Sequence, residues 1–367
     1  MDSKVEVFKN AIRNFLGPVI EFLEDPTVTE ILINGPKEIF IERGGKLIKT
    51  DAEFVNEDDL LSAVNSIAQS VGRRISPKEP TLDARLPDGS RIHVVVPPVA
   101  RSGTTVSIRK FTQTKMTLKD CVEKGTITAD AAQFLDLCMY LGKNILVSGG
   151  TGSGKTTLLS VLASRIPKAQ RVIVIEDSSE LQIEYEHLVF FETQMADAQG
   201  VGEVDMKDLV KSSLRLRPDR IIVGEVRSSE ALDLINAMNT GHKGCLGTIH
   251  ANTPEDAMVR LEGLAMGGDS KISERALQHL IGAAVDVIVQ ISRFPDGSRR
   301  VKNISEVLGH DGKAYQVDHI FDLGQLKKSA DGRLVGQLQP VGHIPSFMDE
   351  IEANKIPFTR AKFNKAA

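Results

Sequence analysis

"NILVSGGTGSGKTT", Asn144 to Thr157, decides the reading of this chain. A short apolar run enters a stretch that fits G-x-x-x-x-G-K-[ST], and a helical pattern follows it. A glycine-rich turn between a strand and a helix lets backbone N–H groups wrap phosphate oxygens, and the helix N-terminus adds partial positive charge. Gly149, Gly150, Thr151, Gly152, Ser153, Gly154, Lys155, Thr156 and Thr157 are therefore candidate nucleotide-binding residues. Lys155 is placed to reach the β- and γ-phosphates, and the Thr156 hydroxyl to join a Mg²⁺ shell. ATP and Mg²⁺ are the expected ligands.

Working outward, "RVIVIE", "RIIVGEV" and "CLGTIHA" repeat the texture of the first strand: short, nearly continuous apolar runs, most of them separated by helical segments. Such runs suit strands buried on both faces of a parallel sheet. In such a sheet the carboxyl ends of the strands share the side of the phosphate loop. Glu176 and Asp177 end one strand and can orient water or Mg²⁺; acids also favour a solvated helix start. Many phosphate-loop proteins hold Mg²⁺ with an aspartate after a hydrophobic strand. Here Gly224 takes that place and Glu225 follows, which suggests that the acidic duties are shared with Glu176 and Asp177. Glu225 can alternatively cap the next helix or pair with Arg227. His250 closes another strand, where an imidazole can donate to a γ-phosphate or polarise water. Asn252 or Thr253, then Pro254, start the helix beyond it. His242, in the loop before that strand, is a further candidate for nucleotide contact or a solvated turn residue.

The remaining chain sets bounds. Its 367 residues exceed one ordinary core and fit two domains. A net charge of −4 creates no global field toward nucleic acid or anionic lipid, and 5% aromatic residues leave few stacking platforms, so no nucleic-acid partner is expected. Cys121, Cys138 and Cys245 have no paired spacing, which suits reduced thiols. No apolar run is long enough to span a bilayer, so membrane association is expected only through partners. Residues 1–111 read as a smaller α+β domain. Its pieces are a helix to about residue 24, a helix from Asn56 to Gly72, and hairpins including "LDARLPDGSRIHVVVPP". Residues 112–116 read as a linker, 117–325 as a phosphate-loop α/β domain with a parallel-rich sheet, and 326–367 as an extension decorating the surface. Arg85, Arg91, Arg101 and Arg109 lie on strands or turns of the first domain, and Arg109, just before the linker, is placed to neutralise phosphate charge.

In order, "GGTGSGKTT", "VIEDSSEL", "LRLRPDRIIVGEVR" and "MNTGHKG…GTIHANTPEDAMVRLE" resemble the boxes of the type II/type IV secretion ATPase superfamily. "VTEILINGPKEIFIERGGKL", "TVSIRKF" and "DVIVQISRFPDGSRRVKNISEVLG" look most like its CpaF family, the motors of Tad pili. The likeness spans roughly residues 15 to 325. It implies a homo-hexameric ATPase, with an N-terminal domain and a RecA-like motor domain, at the cytoplasmic face of the inner membrane that drives pilus assembly through membrane platform proteins. A conjugation or type IV secretion ATPase shares the same boxes. Carried over by residue, the resemblance makes Lys155 and Thr156 ligands of phosphate and Mg²⁺, Glu176 the general base, Glu225 its acidic partner and a metal ligand, and His250 the γ-phosphate sensor. Arg91 and Arg109 match the arginines that close on nucleotide.

Overall fold

The computed structural model describes residues 15–86, 88–111, 116–196, 200–268, 272–329, 332 and 334–365. It divides into two compact units, Met1–Thr114 and Lys115–Ala367. Most of the expected linker, and the first fourteen residues of the expected first helix, lie outside the described residues.

In the first unit the chain enters a short helix, α1 (Ile20–Glu24), through a helical turn that has Pro18 in its first positions. Phe15 is helical and the helix breaks at Leu16, so Gly17-Pro18 follows that break and opens the next turn, as proline suits an N-terminal position. A six-stranded antiparallel sheet follows, built from β1 (Val28–Asn34), β2 (Ile39–Arg43), β3 (Lys46–Lys49), β4 (Thr81–Arg85), β5 (Arg91–Val95) and β6 (Thr105–Arg109), in the order β3-β2-β1-β6-β5-β4. Helix α2 (Glu57–Ser70) is capped by Asn56, whose Oδ1 accepts from the Asp59 amide at 2.9 Å. Its Leu60, Val64 and Ile67 share a core with Ile31, Ile33, Ile92 and Ile108 of the sheet.

The second unit opens with α3 (Leu118–Glu123) and α4 (Ala129–Leu141). Thr117 and Asp120 form a reciprocal capping box on α3. The parallel core then alternates: β7 (Ile145–Ser148), α5 (Lys155–Ala163), β8 (Val172–Glu176), β9 (Leu188–Glu192), α6 (Met206–Ser213), β10 (Arg220–Val223), α7 (Glu230–Asn239), β11 (Leu246–Ile249), α8 (Pro254–Met266), α9 (Glu274–Ala284) and β12 (Val287–Arg293). β13 (Arg299–His310) and β14 (Tyr315–Asp322) add antiparallel strands, and the chain closes with β15 (Lys327–Lys328), β16 (Leu334–Val335), β17 (Gln339–Pro340) and α10 (Met348–Ala353). The large sheet runs β17-β14-β13-β12-β7-β11-β10-β8-β9, parallel from β12 to β9. Every residue of β7, β8, β10 and β11 is buried, because helices cover both faces. Edge strand β9 is missing from the sequence reading; half-exposed "LVFFE" lacks the buried-strand signature.

The C-terminal stretch differs from its expected surface role. Met348, Ile351, Phe358 and Phe363 enter the same core as α4 and α5. Phe134 of α4 meets the Phe363 ring edge-on at 5.7 Å between centroids and the Phe358 ring at 6.3 Å. The polar residues between these anchors mask the apolar spacing. Phe363 is fully buried, so Phe363→Ala should cost about 3 kcal/mol of stability in urea unfolding of the intact chain. An unchanged midpoint would return the tail to the surface.

Candidate nucleotide-binding site

The second unit's site forms where β7, β8, β10 and β11 end. After β7 the loop turns through Gly152 and Gly154, at φ +69° and +98°, a region that L side chains rarely adopt. Gly154 leads directly into α5, whose start carries no side-chain cap, so the first-turn amides are left to the loop. Lys155 is buried and folds back over the loop: its Nζ donates to the Gly150 carbonyl at 2.9 Å and lies 3.2 Å from His250 Nε2.

His250 and Glu225 complete a cluster with that lysine. His250 Nε2 lies 3.2 Å from Glu225 Oε1. Glu225 Oε2 accepts from Arg227 Nη2 at 2.6 Å, and Arg227 Nη1 is 3.4 Å from Asp177 Oδ2. The imidazole nitrogen holds one proton or none. Bare, it accepts from Lys155; protonated, it donates to Glu225. Burial, then the Lys155 charge, hold the His250 pKa below the usual histidine value, so the ring is neutral at neutral pH. Burial alone would raise Glu225, but the Arg227 hydrogen bond and charge, with His250 and Lys155, outweigh it and keep the carboxyl below its usual range.

Glu176 has a different setting. It is buried, and its Oε1 accepts from the amides of Glu180 and Leu181 at 2.8 and 2.9 Å. Burial pushes its pKa up to about 7 despite those two bonds. The following segment is irregular rather than a solvated helix start. Its side chain also explains Gly224: a Cβ there would stand 2.9 Å from Glu176 Cγ. An aspartate at 224 would displace Glu176, so the acid moves on one position to Glu225.

The structure thus gathers Lys155, Glu225 and His250, with Glu176 packed against Gly224 at the neighbouring strand end. The pairing of Glu225 with Arg227 does form, whereas the helix cap beyond it falls to Glu230, whose Oε1 accepts from the Arg227 and Ser228 amides. Thr253 caps α8, accepting from the Asp256 amide at 3.1 Å. His242 is not brought to the loop. It precedes β11, at the end of the strand opposite His250, and its carbonyl accepts from Cys245 Sγ. Beside the loop is a cavity of about 430 Å³ lined by Gly150, Thr151, His250, Asn252, Asp256 and Arg260. Arg260 and the β12–β13 arginines Arg293 and Arg299 are close to the site but absent from the sequence reading. No residue spacing there marks them, because sheet pairing alone brings that hairpin to the loop.

Two oxygen donors fit Mg²⁺: the Thr156 hydroxyl at the start of α5 and the Glu225 carboxylate, kept ionised by its cationic neighbours. Among the described residues no cluster of three or more His, Cys, Asp or Glu could hold a metal.

Within the first unit the candidate arginines form a row. Arg85 pairs in register with Arg91, Arg91 with Arg109, and Arg109 with Glu30. Directly paired residues share a sheet face, so three guanidiniums line one side. Arg85 joins Arg91 and Arg109, whereas Arg101 sits in a turn off the row.

A parallel sheet with a phosphate loop, and with acids and a histidine at adjacent strand ends, defines a phosphate-loop nucleotide-binding protein. Residues 13–317 match the family model described as Type II/IV secretion system protein, and the chain belongs to that family. It is 37% identical over 308 residues to the conjugal transfer protein TrbB of Rhizobium radiobacter, covering 81% of this chain and 89% of that one. It is 32% identical over 329 residues to the type IV secretion system protein VirB11 of Bartonella henselae, covering 79% and 91%. The fold is also that of the Legionella pneumophila ATPase DotB, with a TM-score of 0.56 and 19% identity over 78% of this chain and 79% of that chain. The pilus retraction motor PilT with bound ADP gives 0.55 and 19% over 94% and 86%.

A carboxyl placed as Glu176 is should titrate near neutrality. Carbon NMR of glutamate-labelled protein should show one side-chain carboxyl with a midpoint of about 7 that disappears in Glu176→Gln. Midpoints all below about pH 5 would contradict the burial argument.

Proposed function

We propose that the chain hydrolyses ATP, with Mg²⁺, as a homo-hexameric motor of a type IV secretion or conjugation system. It would act at the cytoplasmic face of the inner membrane and reach the membrane through partner proteins. The observation that carries this reading is the meeting of Lys155, His250 and Glu225 at the phosphate loop. The relatives named for conjugal transfer and type IV secretion support the choice of machine. Among the described residues no helix is long and apolar enough to cross a membrane, so attachment is assigned to partners.

In this reading the loop amides and Lys155 hold the β- and γ-phosphates, which draws Lys155 off His250. Once Lys155 leaves, the neutral ring can shift its proton from Nδ1 to Nε2, where it faces Glu225 or the γ-phosphate and so reports the nucleotide. Thr156 and Glu225 would hold Mg²⁺, which would supply charge neutralisation at the phosphates. Glu176, titrating near neutrality, takes a proton from the attacking water. Arg91 and Arg109 add charge toward the nucleotide.

A second reading, a Tad pilus assembly motor working on inner-membrane platform proteins, is favoured by the CpaF-like segments from Val28 to Leu47 and from Asp286 to Gly309. Recovery of a pilus platform protein in a pulldown would select it over a conjugation machine.

Lys155→Ala should abolish nucleotide binding or phosphate release. Glu176→Gln and Glu225→Gln should bind nucleotide yet release phosphate roughly a hundredfold more slowly. Light scattering with a slowly hydrolysed ATP analogue should give a hexamer. Normal turnover in both glutamine variants would overturn the catalytic assignments, and a monomer in every nucleotide state would overturn the motor.

A further inference from the structure

The β12–β13 hairpin reaches the phosphate loop from a part of the chain that the motif reading leaves aside. Arg299, the first residue of β13, donates from Nε to the Gly152 carbonyl at 3.0 Å. Its Cδ lies 3.3 Å from where a Cβ on Gly154 would stand, so the stem of the side chain crosses the outer side of the turn. Arg293 faces Arg299 in register across the hairpin, and its Nη1 lies 3.8 Å from the Cβ position of Gly152. Like charges directly opposite one another on paired strands repel. Both are drawn to a turn that presents carbonyls outward, and an anion held by the turn would relieve the repulsion further.

The chemistry follows from the peptide group that Arg299 grips. The carbonyl of Gly152 and the N–H of Ser153 belong to one peptide plane and point in opposite directions. A guanidinium on the carbonyl fixes that plane and polarises it, which makes the Ser153 N–H a stronger donor on the inner side. That N–H makes only a long bond, 3.4 Å, to the Gly150 carbonyl. The next residue on β13 points to the other face, as alternation requires. Arg300 Nη2 donates to the Leu334 carbonyl at 2.5 Å, and the Leu334 amide donates to Asp296 Oδ2 at 3.0 Å. The hairpin is therefore held on one side by β16 and grips the phosphate loop with the other.

We propose that Arg299 is a positioning residue for nucleotide: it sets the Gly152–Ser153 peptide so that the loop amides receive phosphate, and the C-terminal strand β16 braces it. This rests on the reading of the loop as the nucleotide site. The peptide serves phosphates common to ADP and ATP, so its loss should weaken both equally and leave the chemical step nearly alone.

The test measures binding of fluorescent ADP and of a slowly hydrolysed ATP analogue to the full-length chain, with phosphate release at saturating ATP. Arg299→Met keeps the stem and removes the donor. It should raise both dissociation constants about tenfold and change the saturated rate less than about threefold. Arg299→Lys restores a charged donor and should recover most of the affinity. Wild-type affinity in Arg299→Met would overturn the proposal, as would a loss confined to the ATP analogue or to the saturated rate. A loss in Arg299→Met that Arg299→Lys fails to reverse would mean a packing role and would also overturn it. Lys155→Ala, measured alongside, separates the two readings. If it too binds ADP as wild type, the nucleotide site itself is misplaced.

Discussion

The Lys155 ammonium is held between the Gly150 carbonyl and the His250 imidazole, and the rest of the site depends on that contact. A buried cation needs partners. The loop supplies a carbonyl, β11 supplies a neutral ring, and behind the ring Glu225 supplies negative charge. Arg227 then restrains Glu225 and bridges it to Asp177 after β8. Groups from four strand ends are thus joined by one chain of charge. The parallel sheet makes this possible, because its order of β7, β11, β10 and β8 sets those ends side by side.

This arrangement gives the two glutamates different characters. Glu225 faces cations and stays ionised, as a metal ligand requires. Glu176 faces buried surface and backbone amides, and its pKa of about 7 suits a group that takes up and returns a proton. Gly224 links them sterically: its lack of a side chain makes room for Glu176 and shifts the second acid to position 225. In the proposed reading, a phosphate leaving or entering the loop would change what Lys155 touches, and the change would pass to His250 and Glu225, which lie within 3.2 Å of one another.

Much of this was legible in the sequence because it is local. The phosphate loop lies within nine consecutive residues, and its strand and helix flank it directly. Glu176, Glu225 and His250 each end an apolar run, and parallel pairing carries that regularity into space. The arginines were harder to read. Arg91 and Arg109 are singled out only by the resemblance and by Arg109's place before the linker; the row they form with Arg85 needs the register of three strands, and Arg299 is separated from Gly152 by 147 positions of chain. In the sequence His242 stays open between nucleotide contact and a turn, because closeness to His250 in sequence does not say which end of a strand it occupies; it precedes β11, and His250 follows it. The tail misled because its buried aromatics are spaced among charged residues that face outward.

The central claim is that nucleotide takes Lys155 from its partners in the loop and in β11. A crystal structure of the chain with Mg²⁺ and a slowly hydrolysed ATP analogue tests it directly. The account predicts the lysine ammonium on the β- and γ-phosphates and off the Gly150 carbonyl, with Thr156 and Glu225 toward the ion and His250 turned to Glu225 or the γ-phosphate. Nucleotide bound with Lys155 still on Gly150 and His250, or bound away from residues 149–157, would contradict it.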